Sequence, residues 1–185
     1  MGKPRPRTPG GDVVELGESI LGAWETSHRT TVFLVKELPS TLWRAHVPEV
    51  PRRTIRSIAA HIHNCRRNWI ATLGEGRRIA VPGRVDPFRV RQKDLVTALN
   101  RSGDGLRRVI EAALDHGGTL PTPPHYVWRN LPLDASHVLC YFVAHEGHHR
   151  GQIVLAARQL GHRLPVSITG GLWDWSRRVK EARAR

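Results

Sequence analysis

Cysteine is scarce in this chain. Cys65 and Cys140 are the only two in 185 residues, and they form no C-x-x-C pair that would suggest a redox motif or a zinc knuckle. Both fall within apolar helical patterns, so the expectation is two buried free thiols in a reducing cytoplasm. Long apolar runs are also missing. Nothing approaches the roughly 18 uninterrupted apolar residues of a membrane-spanning helix, and MGKPRPRTPGG at the amino terminus lacks the apolar core of a signal peptide. It reads as a flexible basic arm, residues 1–11. Strand alternation is absent, as is any internal repeat. Acidic residues are few: 16 Asp and Glu stand against 29 Lys and Arg, a formal net charge of +13.

Such a surplus raises nucleic acid or an anionic small molecule as partner. The basic residues are scattered, however, with few aromatics among them, and no nucleic-acid-binding signature accompanies them. Solvated arginine faces are therefore favoured over a dedicated nucleic-acid surface. The length suits one domain with a substantial core, taken as residues 12–176, near whose end Trp173 and Trp175 are expected to dock before a charged tail over 177–185.

Four helices are expected. The first spans Asp12 to Lys36. The second spans Thr54 to Leu73, with Thr54 as cap and Gly74 as stop, and the third spans Gln92 to Asp115, closed by Gly117 and Gly118. The fourth opens on Asp134 and ends at Leu160 before Gly161. Long links between them argue for an all-α four-helix bundle with crossover connections rather than a simple up-down-up-down order.

Within the fourth helix, His145–His149 reads HEGHH, a literal H-E-x-x-H. At 3.6 residues per turn, both histidines fall within about 20° of the centre of the stripe formed by Val138, Phe142, Ile153 and Ala156. Two imidazoles one turn apart then project into the interior, as metal ligands from one helix do. Glu146 falls about 80° from the stripe's centre. On the second helix, Ile55, Ile58, Ile62, Cys65, Trp69 and Leu73 define the buried face. His61 sits at its edge and is the better candidate to reach inward, whereas His63 is expected at solvent or a neighbouring loop. A peptidase is disfavoured: the metzincin extension fails, because Gly151 comes too early and Leu155 replaces the third histidine.

HEGHHRGQIVLAARQLG (residues 145–161) resembles the last-helix signature of the DinB/YfiT-like metalloenzyme superfamily, where H-x-x-x-H-R-G-Q is typical. RSIAAHIHNCRRNWI (residues 56–70) is similar to its second-helix motif. The resemblance implies a down-up-up-down bundle, often a homodimer, holding a divalent metal such as Zn²⁺ or Ni²⁺ on His61, His145 and His149. It implies that Gln152, on the ligand side, contacts a water on the metal, and that Gly147 and Gly151 admit a neighbouring helix. Members include transferases and isomerases dependent on bacillithiol, mycothiol or glutathione, which makes a thiol S-transferase-like activity on a small electrophile the leading expectation. Arg66 and Arg129 are candidates to hold the carboxylates of a low-molecular-weight thiol at the pocket mouth. The alternatives are a non-catalytic metal-binding bundle and a nucleic-acid-associated basic protein.

Overall fold

The computed structural model describes residues 15–50, 52–124, 126 and 130–183. The basic arm, the beginning of the first expected helix at Asp12, and Arg129 lie outside the described residues. Four long helices build the domain: α1 (Leu16–Glu37), α2 (Ile55–Leu73), α3 (Gln92–Asp115) and α4 (Ala135–Gln159). Two shorter ones follow, α5 (Val166–Gly171) and α6 (Trp175–Arg183). A single turn of 3₁₀ helix, Ser40–Leu42, lies between α1 and α2.

Local chemistry sets the boundaries. Thr54 and Ser57 form a reciprocal capping box at the start of α2, each side-chain oxygen accepting the other residue's backbone N–H. Asp134 caps α4 by accepting from the backbone N–H of His137. Past the end of α4, Gly161 takes φ 79°, the left-handed conformation that glycine adopts without steric cost.

Two apolar clusters fill the bundle and fix the helix directions. One joins the end of α1 (Leu34, Val35), the start of α2 (Ile55, Ile58, Ile62), the start of α3 (Leu95, Leu99) and the end of α4 (Ile153, Ala156). The other joins the start of α1 (Ile20, Trp24), the end of α2 (Trp69, Leu73), the end of α3 (Leu106, Ile110) and the start of α4 (Val138, Phe142). So α1 and α4 run one way and α2 and α3 the other, which is the down-up-up-down order. The principal contacts are α1 with α3 and α4, and α2 with α3 and α4, placing α1 and α2 on a diagonal. Each crosses α3 closely where α3 offers a glycine. A methyl group added at Gly103 would come within 2.5 Å of the His28 ring, and one at Gly105 within 2.6 Å of Ile70.

Between the clusters lies a buried polar layer. Arg66 on α2 and Glu146 on α4 are 1% and 0% exposed and form a two-pronged ion pair, both N–H···O distances 2.6 Å. Thr31 on α1 donates to Glu146 Oε2 at 2.7 Å, and the Thr31 oxygen in turn accepts from Arg150 at 2.7 Å. The remaining Arg66 nitrogen, Nη1, donates to His28 Nδ1 and to the Leu99 carbonyl on α3. One guanidinium thus ties all four long helices together.

Several sequence expectations change here. Glu146 is buried rather than off the stripe, because α4 packs against both α1 and α2 and its interior arc is wide enough to include it. Cys65 is half-buried and Cys140 exposed, since α4 turns that side away from its neighbours. Trp173 and Trp175 are exposed; the chain after α4 is anchored instead by Ile168 and by Arg178, whose guanidinium lies over the Phe33 ring at 4.3 Å. Gly151 has no heavy atom within 4 Å of where a Cβ would stand, so among the described residues no helix packs closely on it; with Gly147 it lines an open cleft facing Thr169 and Trp173.

Replacing Glu146 by Ala would leave the Arg66 charge buried without its carboxylate. A loss of about 3–5 kcal/mol in unfolding free energy is expected, measured by urea denaturation of the full chain. A loss below about 1 kcal/mol, the range of exposed pairs, would show that the layer does not hold the bundle.

Candidate metal centre

Facing one another across the α2–α4 contact are His61, His145 and His149. One ring nitrogen from each lies within 4.8 Å of the other two. The ring centroids of His61 are 5.4 Å from His145 and 4.7 Å from His149, and the Nε2 atoms of His145 and His149 face each other at 3.2 Å. The cluster is graded from outside to inside: His61 exposed, His145 half-buried, His149 buried. It therefore opens to solvent on the α2 side.

Gln152 sets the chemistry of His149. Its Oε1 accepts from Arg53 Nη2 and from His149 Nδ1, both at 2.9 Å. A guanidinium only donates, so the amide atom facing Arg53 is the oxygen. That oxygen in turn requires the proton of His149 to sit on Nδ1, which leaves Nε2 with its lone pair toward the cluster. Gln152 Nε2 donates to His148 Nε2 at 2.8 Å. Gln152 thus orients a ligand-type histidine from behind, the outer-shell arrangement that fixes tautomer and ring angle at metal sites.

Burial lowers the pKa of all three histidines. For His61, desolvation is the main cause and the Arg53 charge the second. For His145, desolvation is joined by His61. His149 falls to about 4, through desolvation first, with His145, His61 and His148 adding repulsion against the Gln152 hydrogen bond that favours the proton. Neutral imidazoles are the ligand form, and three of them leave a bound divalent ion its full charge and an open coordination position. The donor set fits such an ion.

Above the site, Tyr141 stacks on His145 at 5.8 Å between centroids and accepts from Trp69 Nε1 at 3.3 Å. The other predicted residues sit elsewhere. Arg66 is not at a pocket mouth: it is buried and engaged with Glu146, His28 and Leu99, as described above. His63 reaches a neighbouring loop, as expected, but is fully buried: its Nε2–H donates to the Gly83 carbonyl and its Nδ1 pairs with the Ser102 hydroxyl. Arg53 was missed. It precedes the capping box, and no pattern in the sequence marks it as reaching α4.

The chain is thus a four-helix bundle in down-up-up-down order in which α2 and α4 bring together three histidines that could hold a metal ion. The chain belongs to the DinB family, whose family model matches residues 14–177. No curated protein and no solved structure matches it.

The pH dependence of stability follows from these shifts. Native His149 binds its proton more weakly than an unfolded histidine, so the unfolded chain takes up more protons as the pH falls. The stability this contributes is complete above the ordinary histidine value of 6.5 and is lost as the pH falls toward about 4. The urea midpoint of the metal-free chain is expected to decline across that window, and less steeply in His149→Gln. Parallel declines in the two proteins would contradict the assignment.

Proposed function

We propose that this DinB family protein is a divalent-metal-dependent enzyme, of the thiol S-transferase type, acting on a small electrophile. The observation that supports it is the convergence of three neutral imidazoles on a position open to solvent. His61, His145 and His149 would hold the ion, with Zn²⁺ and Ni²⁺ both suited to an all-imidazole set. When bound, the ion would supply positive charge that favours a thiolate over a thiol.

The chain's residues have separate tasks. His149 presents Nε2 because Gln152 holds its Nδ1 proton, so Gln152 is a positioning residue, a role set back from the water contact expected of it. Arg53 holds Gln152 in turn and keeps positive charge beside His61. Glu146 is committed to Arg66 and Thr31, which leaves no free carboxylate one turn from the histidines to act as a peptidase base. In the reaction, the thiol of bacillithiol, mycothiol or glutathione forms a sulfur–carbon bond as the bond from that carbon to its leaving group breaks, and the thiol proton passes to solvent. A homodimer in the cytoplasm belongs to the same reading. Among the described residues, no helix is long and apolar enough to cross a membrane.

Full-length protein purified without chelator or metal-affinity resin should carry about one equivalent of Zn²⁺ or Ni²⁺ per chain, read by elemental analysis, and His149→Ala should carry none. Full occupancy in that variant would sink the ligand set. Gln152→Leu is expected to weaken metal affinity by roughly 10- to 100-fold. Conjugation assays with the three thiols and a panel of electrophiles, run before and after metal removal, then test catalysis. A metal-loaded protein that conjugates none of them would favour a bundle that binds metal without turnover.

A further inference from the structure

Away from the histidines, the 3₁₀ turn and the starts of α2 and α3 border an open cleft of about 450 Å³, lined by Trp43, Arg44, Arg56, Arg89, Arg91 and Gln92 among others. Its volume falls within the range of small-molecule sites. Arg56 lies five residues before His61 on α2, about 140° round the helix, so the cavity and the metal centre occupy different faces.

Two of the four arginines already have acids. Arg91 pairs with Asp94 at 2.5 Å, and Arg89 lies 3.8 Å from Asp86. Arg44 and Arg56 have no carboxylate partner among the described residues, and the Arg56 Nε–H is closed off from solvent without an acceptor. That atom is closed to a ligand as well as to water, so the uncompensated charge of the two guanidiniums, not this N–H, is what an anion would meet. The walls are pinned: the Arg56 backbone N–H donates to the Trp43 carbonyl, Trp43 Nε1 donates to the Val90 carbonyl, and Gln92 Nε2 donates to the carbonyls of Val35 and Leu38. These bonds tie the starts of α2 and α3 and the end of α1 into one frame, so little order has to be gained on binding.

We infer that this cavity is a second ligand site, specific for a phosphate-bearing small molecule. Guanidinium forks match phosphate oxygens in geometry and charge. The two unpaired arginines supply the net charge, and the volume leaves room for more than the phosphoryl group itself.

Isothermal titration calorimetry on the full chain tests the site, with inorganic pyrophosphate and adenosine triphosphate as probes at about 0.15 M salt, where long-range electrostatics are screened. Wild type is expected to bind one or both probes. Arg44→Ala/Arg56→Ala should weaken binding by roughly tenfold or more, given the strength of hydrogen bonds to charged groups. Arg56→Lys, which keeps the charge and the apolar stem but lacks the planar guanidinium fork, should also weaken it. The control Arg101→Ala/Arg108→Ala removes the same charge from exposed positions on α3 and should leave affinity unchanged. Equal losses in both double variants would show diffuse attraction and overturn the site, as would the absence of binding of both probes to wild type. A short oligonucleotide bound more tightly than either probe, and insensitive to Arg56→Lys, would overturn it in favour of a nucleic-acid surface.

Discussion

The bundle depends on one buried charge pair. Arg66 and Glu146 sit at mid-height between two apolar clusters, where neither charge would be tolerated alone. Each therefore requires the other, and together they require Thr31, His28 and the Leu99 carbonyl to occupy their remaining hydrogen-bonding capacity. Apolar packing alone tolerates small slips of one helix along another. A two-pronged pair with every partner specified does not, because a slip of one turn would strand a charge. The pair thus acts as a register pin between α2 and α4.

That register is what assembles the histidine cluster. His61 is five residues before Arg66 on α2, and His145 and His149 flank Glu146 on α4. With Arg66 and Glu146 joined, the antiparallel helices bring His61 level with His145 and His149. The glutamate of H-E-x-x-H, read as a protease base in a different fold, serves here as the anchor that sets the histidines' height. The same five-residue pattern serves a different role here because the neighbouring helix offers an arginine rather than a substrate cleft.

Much of this was legible in the sequence. Helix ends were marked by local chemistry, such as the Thr54 box, the Asp134 cap and Gly161, which act within a few residues and need no tertiary context. The inward pair His145 and His149 followed from helical period, and His61 from its place beside an apolar face. What was not legible depended on partners distant in sequence. Glu146 looked marginal on a wheel drawn for one helix, since a wheel cannot show that α4 is covered by two neighbours. Arg66 was expected at a pocket mouth, holding the carboxylates of a thiol, because the partner that makes burial of its charge tolerable lies 80 positions away. Cys140 was expected to be buried, and the tail tryptophans to dock, on apolar character alone, yet folded surfaces retain a large apolar share.

The arginine surplus divides along the same line. Arg66 is structural, Arg53 serves the histidines through Gln152, and Arg178 lies over Phe33 to hold α6. Arg91 is neutralised locally by Asp94. Arg44 and Arg56 have no such assignment inside the fold, though they face a cavity whose walls are fixed by backbone hydrogen bonds. A net charge of +13 read as one quantity suggests a polyanionic partner. Resolved residue by residue, part of that charge sits in internal pairs, part lies beside the histidines, part is exposed, and two unpaired guanidiniums line one cleft. Other arginines, Arg101 and Arg108 among them, also lack a carboxylate partner among the described residues; Arg44 and Arg56 differ from these in lining one cleft together.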